Sequence, residues 1–212
     1  MKEKIKLIYR ILIVIVSAVA LYLNFKLFGF KEGIIYFTNI SNLICLIYFI
    51  VLIIMTITKK VKRNDTYYIF KGMVTMAITI TMFIYNILLS SNDGMGAFKG
   101  HMLECNLVHL VVPLMVILDY IIFGEKGHLK KEYPIIWSSI LILYQLFVII
   151  YVLLGGTFMN GLTYPYFYMD IEKYGTIGVL FNLLVIYIFF VGYGTIVQII
   201  DNKLGKKNKI IN

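Results

Sequence analysis

The sequence predicts an all-α, polytopic membrane protein with six transmembrane helices and both ends in the cytoplasm. Of its 212 residues, 60% are hydrophobic and only 15% are charged, whereas a soluble domain is about 45–50% apolar and about 25% charged. The apolar residues form six long blocks, and a helix needs about 20 such residues to cross a bilayer core. Lys and Arg gather in alternate connections, as is typical of membrane proteins. These observations exclude a soluble globular domain.

The six apolar blocks are the predicted helices, because in lipid each block can satisfy its backbone hydrogen bonds only as a helix. In order along the chain, the predicted spans are residues 7–28, 36–58, 67–89, 102–123, 134–154 and 175–200. The first block is too long for the apolar core of a cleavable signal peptide, and no small-x-small site follows it. We expect the spans to form a single six-helix domain over residues 1–212.

The basic residues predict how the chain is oriented. Sixteen of the 20 Lys and Arg residues lie in the segments 2–10, 59–71, 126–131 and 203–209. The other four are Lys26, Lys31, Lys99 and Lys173. Because Lys and Arg are enriched in cytoplasmic connections, this split puts both termini in the cytoplasm. The net charge of +9 then follows from topology, so we expect contact with anionic lipid headgroups and no nucleic acid.

Polar side chains within the spans are concentrated at one depth. Such groups are costly in a membrane and need a partner or a function. With the predicted orientation, those in the half of the bilayer away from the cytoplasm are Asn24, Thr38, Asn39, Ser41, Asn42, Asn86, Asn106, His109 and Asn182. This asymmetry predicts a polar cavity that opens to the outer leaflet or the exterior. Hydrogen bonds that simply join helices are the alternative.

The second predicted span carries the candidate nucleophile. Thr38, Ser41, Asn42 and Cys45 follow the spacing i, i+3, i+4, i+7, so they share one helix face. A threonine hydroxyl needs a base before it can act as a nucleophile. The structural alternative is a threonine that bonds only to its own helix backbone.

The fourth predicted span carries the candidate base. Asn106, His109 and Pro113 are expected on one face, and Pro113 deprives the carbonyl of His109 of its usual helical donor. Thr38 and His109 lie at similar depths and can meet if the second and fourth spans pack together. A neutral imidazole is the usual general base for a hydroxyl. A structural hydrogen bond is the alternative for a single intramembrane histidine.

The spacing of cysteines and histidines argues against a metal site and a disulfide. His101, Cys105 and His109 are four residues apart, so the outer two lie about 12 Å apart along a helix and cannot reach one ion. We therefore expect no metal, and the proposed chemistry needs no organic cofactor. Cys45 and Cys105 differ in depth by roughly 10 Å, which is too far for a disulfide.

The remaining polar residues divide into a structural set and a set of site candidates. Arg10, Lys71 and Asp119 lie at similar depths near the cytoplasmic end, so we expect a structural ion pair. Asp119 is about 15 Å along the helix from His109, which excludes it as a direct partner of the imidazole. The candidates for orienting His109, binding substrate or stabilising an oxyanion are Ser41, Asn42, Asn86, Asn106, Tyr164, Tyr166, Asp170 and Asn182. The tyrosines also fit an interfacial aromatic belt.

Three patches of the sequence resemble one known family. They are YFTNISNL at 36–43, HLVVP at 109–113 followed by Asp119, Tyr120 and Phe123, and YPYF at 164–167 followed by Asp170. Together with the six-helix plan and the length, they resemble the androgen-induced transmembrane hydrolase family, including its bacterial relatives. The resemblance implies cleavage of fatty acid esters of hydroxy fatty acids, with Thr38 and His109 as the catalytic residues.

From the resemblance and the site residues, we expect an intramembrane lipid-ester hydrolase whose partners are a membrane lipid substrate and the bilayer. An acyltransferase that uses the same two residues is one alternative. A non-catalytic transporter or binding protein for a small amphiphile is another. The Ile-, Lys- and Asn-rich composition is typical of bacterial proteins, so we expect a bacterial plasma membrane, with the site facing the outer leaflet or the exterior.

Overall fold

The computed structural model describes residues 2–90 and 100–211, and these residues form helices and no strand. The stretches long and apolar enough to cross a membrane are Glu3–Phe28, Phe37–Ile57, Asp65–Leu89, Met102–Phe123, Tyr133–Leu153 and Ile171–Lys206. We call them the first to sixth spans. The predicted all-α membrane fold with six spans is confirmed, and each observed span overlaps its predicted block. Lys99, one of the four basic residues assigned to the outer side, lies outside the described residues.

Several helices are longer or less regular than the apolar blocks. The α-helices are Lys2–Phe28, Phe30–Gly33, Phe37–Ile57, Asp65–Phe83, Met102–Asn106, Val112–Phe123, Tyr133–Leu153 and Ile171–Ile211. The last helix is kinked at Gly175, whose φ of 65° suits glycine. The third and fourth spans contain the π-helical segments Ile84–Leu89 and Leu107–Val111. Short 3₁₀ turns, Met159–Gly161 and Phe167–Met169, lie between the fifth and sixth spans.

The helices divide into two compact units. The first unit, Met1–Glu125, contains the first four spans, and the second unit, Lys126–Asn212, contains the fifth and sixth spans. Whether the six spans form one domain depends on how these two units pack. The predicted single domain over residues 1–212 therefore stays a prediction.

In the first unit, the four spans pack as a ring in which each span contacts the two beside it. The second and fourth spans lie diagonally across this ring, and the second span also contacts the π-helical segment of the fourth. The core includes Ile13, Cys45, Ile78 and Val108, all fully buried. Because lipid tails are as apolar as these side chains, close packing rather than the hydrophobic effect holds the ring together.

An ion pair ties the first span to the fourth. Arg10 Nε lies 2.9 Å from Asp119 Oδ1, Arg10 Nη2 lies 3.1 Å from Asp119 Oδ2, and both side chains are buried. Two parallel bonds of this kind match the guanidinium to the carboxylate. The predicted structural pair therefore forms between Arg10 and Asp119. Lys71, the third residue of the predicted set, has its ammonium 5.2 Å from the centre of the Tyr120 ring.

In the second unit, the connection before the fifth span is fastened to the end of the sixth. Gly127 N–H donates to Asp201 Oδ1 at 2.8 Å, and Lys126 Nζ lies 3.5 Å from Asp201 Oδ2. Burial lowers the pKa of the Lys126 ammonium, and Asp201 opposes this shift. We call the packing of residues 126–129 against residues 198–205 the clasp.

Amide side chains and two glycines complete the clasp. Asn202 Nδ2 and Gln198 Nε2 donate to Leu129 O at 2.7 and 3.1 Å, and Leu129 N–H donates to Asn202 Oδ1 at 3.3 Å. The backbones of Gly127 and Gly205 touch, so that a Cβ at Gly205 would stand 2.3 Å from Gly127 Cα. Only a residue without a side chain fits the helix at this point.

Candidate active site

Thr38 and His109 meet inside the first unit. Thr38 Oγ1 lies 3.2 Å from His109 Nε2, which is within hydrogen-bonding distance. Thr38 is partly buried, whereas the His109 side chain is buried. The contact joins the second span to the fourth across the diagonal of the ring, at the π-helical segment. The meeting of these two side chains, predicted from their depth and facing, is confirmed.

The other ring nitrogen of His109 fixes its tautomer. His109 Nδ1 lies 3.0 Å from the carbonyl oxygen of Cys105, four residues earlier. Because a carbonyl oxygen can only accept, Nδ1 carries the proton and Nε2 carries the lone pair. The Thr38 hydroxyl then donates to Nε2, which is the arrangement that a general base needs toward a nucleophile. The acceptor that orients His109 is thus a backbone carbonyl.

Tyr85 covers one face of the imidazole. Its ring stacks on the ring of His109, with the centroids 3.7 Å apart and the planes 16° from parallel. The Cys105 thiol donates to Tyr85 Oη at 2.8 Å, and its sulfur lies 3.7 Å from His109 Nδ1. All three side chains are buried. Their packing restricts rotation of the imidazole and keeps Nε2 directed at Thr38.

Ser41 and Asn42 support the backbone of Thr38. Ser41 Oγ and Asn42 Nδ2 donate to Thr38 O at 2.9 and 2.8 Å. Ser41 Oγ also lies 2.6 Å from Thr81 Oγ1 of the third span. Ser41, Asn42 and Cys45 are fully buried. Two predicted substrate-binding candidates therefore bond the backbone of Thr38.

Two asparagines bind the backbone of the π-helical segment. Asn42 Nδ2 donates to Val108 O at 3.1 Å, and Asn86 Nδ2 donates to His109 O at 3.2 Å. The His109 carbonyl is the one that Pro113 was predicted to leave without its helical donor. Asn86, from the third span, supplies the replacement.

The amide hydrogens of Asn42 and Asn86 are thereby both engaged. Besides its bond to the fourth span, Asn42 donates to Thr38 O at 2.8 Å, and Asn86 donates to Met82 O at 2.7 Å. A side-chain amide has two N–H donors, so neither residue has one left for an oxyanion. The structure gives these two predicted oxyanion candidates a different use.

Asn106 does not share the buried face of His109. Asn106 is exposed, while His109 and Pro113 are buried. The predicted shared face assumed a continuous α-helix, but a π-helical turn begins at Leu107 and changes which residues face the same way. The predicted face was therefore wrong for Asn106, and its contact with substrate stays a prediction.

Asp170 and Tyr164 lie in the second unit, in the segment before the last helix. Asp170 Oδ1 accepts from the N–H of Lys173 at 3.0 Å, so it caps the start of this helix. A hydrogen bond to the Asp170 carboxylate raises the pKa of Tyr164. Asp170 was a candidate to orient His109, and within the first unit the Cys105 carbonyl has that role.

Tyr166 and Asn182 fasten the same segment of the second unit. Tyr166 stacks on Tyr168, with the ring centroids 5.6 Å apart, and Asn182 Nδ2 donates to Tyr168 O at 3.1 Å. Both contacts order the aromatic stretch between the fifth and sixth spans. A part for these side chains at the Thr38–His109 dyad stays a prediction.

The cysteines and histidines of the first unit form neither a disulfide nor a metal cluster among the described residues. Cys45 and Cys105 are free thiols, and His101 Nδ1 lies 3.5 Å from Glu104 Oε1. Within residues 2–90 and 100–211, no three His, Cys, Asp or Glu side chains converge in a way that could hold a metal ion. Cys105 and His109 contact each other, whereas His101 pairs with Glu104.

Sequence reasoning missed Tyr85 and the carbonyl of Cys105. A stacking tyrosine has the same spacing as an ordinary core tyrosine, and a backbone carbonyl has no residue-type signal. The start of the second span could be predicted from the sequence. Its helix begins at Phe37, so Thr38 lies in its first turn, where the positive end of the helix dipole favours negative charge.

Comparisons of the chain with protein-family models, curated proteins and solved structures give no match. A hydroxyl that donates to the lone pair of an imidazole, at the start of a helix, is the arrangement of an activated nucleophile.

Proposed function

We propose that this protein is an intramembrane hydrolase that cleaves lipid esters, with Thr38 as nucleophile and His109 as general base. The observation that carries the proposal is the 3.2 Å contact between Thr38 Oγ1 and His109 Nε2. The sequence patches that resemble the androgen-induced transmembrane hydrolases support the same assignment. They favour a fatty acid ester of a hydroxy fatty acid as the substrate.

In the proposed reaction, Thr38 Oγ1 attacks the acyl carbonyl while its proton passes to His109 Nε2. The ester C–O bond then breaks, and His109 gives the proton to the departing alcohol. Water attacks the acyl-threonine, His109 takes a proton from this water, and Thr38 recovers it as the fatty acid leaves. The cycle uses one base, which carries one proton in each half of the reaction, and needs no metal or organic cofactor.

Negative charge develops on the acyl oxygen during each attack. Thr38 is the second residue of a helix that begins at Phe37, so the positive end of the helix dipole lies beside its hydroxyl. The positive end of the helix dipole therefore stabilises an oxyanion beside the nucleophile.

The support behind His109 favours an ester over an amide as substrate. Its Nδ1–H donates to the Cys105 carbonyl, and a carbonyl dipole stabilises the imidazolium less than a carboxylate does. An alkoxide leaving group needs less help from a proton donor than an amine does. The dyad is thus better suited to cleaving an ester than an amide.

We also propose that both termini face the cytoplasm and that the dyad lies in the outer half of a bacterial plasma membrane. The 16-to-4 split of Lys and Arg supports this orientation, and six spans return a chain to the side where it began. A lipid would then reach the partly buried Thr38 from the outer leaflet.

Cysteine labelling tests the orientation. Both native cysteines are buried, so a cysteine placed at Lys62 or Thr163 reports on one connection each. We expect an impermeant maleimide added to intact cells to label Thr163→Cys, and to label Lys62→Cys only after permeabilisation. The reverse pattern would put the dyad in the cytoplasmic half of the membrane.

Ester hydrolysis by the purified protein tests the proposed chemistry. Thr38→Val removes the hydroxyl and keeps the side-chain shape, and His109→Ala removes the base. We expect each to lower kcat by about 100-fold or more. Thr56→Val is the matched control, because Thr56 lies in the same span and its hydroxyl donates to Leu52 O of its own helix. This control should keep the parent's activity.

The outcomes separate the competing functions. Equal hydrolysis by the parent, Thr38→Val and His109→Ala ends the proposal. Transfer of the acyl group to an alcohol instead of water, lost in both variants, would make the same dyad an acyltransferase. Reversible lipid binding without turnover would indicate a transporter or binding protein instead of an enzyme.

A further inference from the structure

Pro113 disturbs the backbone that carries His109. In the π-helical segment, the N–H of Val112 donates to Leu107 O, five residues earlier. Pro113 has no N–H, so it can serve neither Val108 O, five residues earlier, nor His109 O, four residues earlier. Any other residue at 113 would offer its N–H to one of these two carbonyls. With proline there, neither carbonyl receives it.

Asparagines from two flanking spans donate to those two carbonyls. Asn42 of the second span donates to Val108 O at 3.1 Å, and Asn86 of the third span donates to His109 O at 3.2 Å. Both bind in the same way, since the second hydrogen of each amide goes to a carbonyl four residues earlier in its own helix. A buried carbonyl without a donor is costly, and these amides remove that cost while the π-helical turn is kept.

We propose that Asn42 and Asn86 are positioning residues. They stabilise the π-helical turn in which Pro113 supplies no N–H, so that His109 Nε2 faces Thr38. The inference rests on the proposed hydrolase. Asn42 has a second effect, because its other bond goes to the carbonyl of Thr38. One buried amide thus bonds the backbone of Thr38 and the backbone of Val108, the residue before His109.

The dyad is sensitive to such positioning. Its 3.2 Å contact is at the long end of the hydrogen-bonding range, so a further shift of about 1 Å would break it. A misplacement of about 1 Å at a reacting group can lower a rate by about 100-fold. The positioning asparagines therefore influence the chemical step without contacting the substrate.

Steady-state kinetics of Asn42→Ala and Asn86→Ala test this role. We expect kcat for ester hydrolysis to fall by about 10- to 100-fold with KM nearly unchanged, because these side chains place the base. Asn39→Ala is the matched control. The amide of Asn39 donates to Asn24 Oδ1 and Gly33 O, so kcat should stay near that of the parent even if the variant unfolds at a lower temperature.

Pro113→Ala separates positioning from general destabilisation. It returns an N–H that can serve the carbonyl released by a missing asparagine. The loss in kcat caused by Asn86→Ala should therefore be smaller in the Pro113→Ala background than in the parent, and equal losses overturn the proposal. Asn86 is exposed, so this comparison holds even if Asn42→Ala does not fold.

¹⁵N spectra of labelled histidine provide a readout that needs no turnover. The chain has three histidines, and His109→Ala identifies the signals of His109. We expect its Nε2 signal to shift in Asn86→Ala, to return toward the parent in Asn86→Ala/Pro113→Ala, and to stay unchanged in Asn39→Ala. An unshifted signal in both asparagine variants overturns the positioning role. A shifted signal in a protein without hydrolase activity would overturn only the proposed function.

Discussion

Arg10 and Asp119 show what a charged side chain requires among apolar helices. Each is 2% exposed, and two hydrogen bonds of 2.9 and 3.1 Å match the guanidinium to the carboxylate. Removing one partner of such a pair leaves an unpaired buried charge, which costs about 3–5 kcal/mol. The pair is therefore a structural feature of the first unit, remote in the chain from Thr38.

We expect Asp119→Ala to lower the free energy of unfolding by about 3–5 kcal/mol. The charge-free double variant Arg10→Met/Asp119→Leu should recover most of this loss, because the penalty comes from the unpaired charge. Thermal unfolding of the purified proteins measures both effects. An Asp119→Ala protein that unfolds at the parent's temperature would contradict the structural role.

For single residues, the contact between Thr38 and His109 could be predicted, because polar side chains at one membrane depth are rare and costly. The tautomer of His109 could not, since it depends on the Cys105 carbonyl, and a carbonyl is present at every position. The sequence also did not indicate that Asn42 and Asn86 donate to backbone carbonyls. Their residue type suggested donors to a substrate, whereas their donors are engaged by backbone carbonyls.

Among the elements, the clasp of the second unit depends on close contact between two glycines. A Cβ at Gly205 would stand 2.3 Å from Gly127 Cα and 2.6 Å from Gly127 N, which is far inside van der Waals contact. The hydrogen bonds that Gly127 N–H donates to Asp201 and that Leu129 exchanges with Asn202 require the same close approach. A side chain at Gly205 must therefore displace the connection.

We expect Gly205→Ala to destabilise the protein by about 1–3 kcal/mol, the usual cost of overpacking. Gly192→Ala is the matched control in the same helix, because a Cβ at Gly192 would meet nothing within 4 Å. It should be neutral or stabilising by up to about 1 kcal/mol through helix propensity. Thermal unfolding compares the two, and equal midpoints would show that the clasp does not need the glycine contact.

The positions of the six spans could be predicted because apolar length is set by the bilayer. The π-helical segments could not, since hydropathy carries no information on the register of backbone hydrogen bonds. Pro113 was the local signal of disturbance in the fourth span, but it did not indicate a wider turn. For that reason Asn106 was placed on the face of His109, whereas it is exposed.

For the whole molecule, charge and hydropathy predict a path through the membrane and leave the packing of the spans open. All six spans are similarly apolar, so their composition does not indicate that the first four form one unit and the last two another. The aromatic segment before the sixth span shows the same limit. Its residue types suggest donors or an interfacial belt, while its short 3₁₀ turns depend on backbone conformations such as the positive φ of Asn160.

Covalent labelling of Thr38 tests most directly the proposal that Thr38 is a nucleophile activated by His109. The purified protein is treated with an acyl-directed fluorophosphonate, and the modified residue is located by mass spectrometry of its peptides, with Thr38→Val and His109→Ala beside the parent. We expect an adduct on Thr38 in the parent, none on residue 38 in Thr38→Val, and much slower modification in His109→Ala. A parent that hydrolyses the ester while Thr38 stays unmodified, or an adduct on another residue, would contradict this proposal.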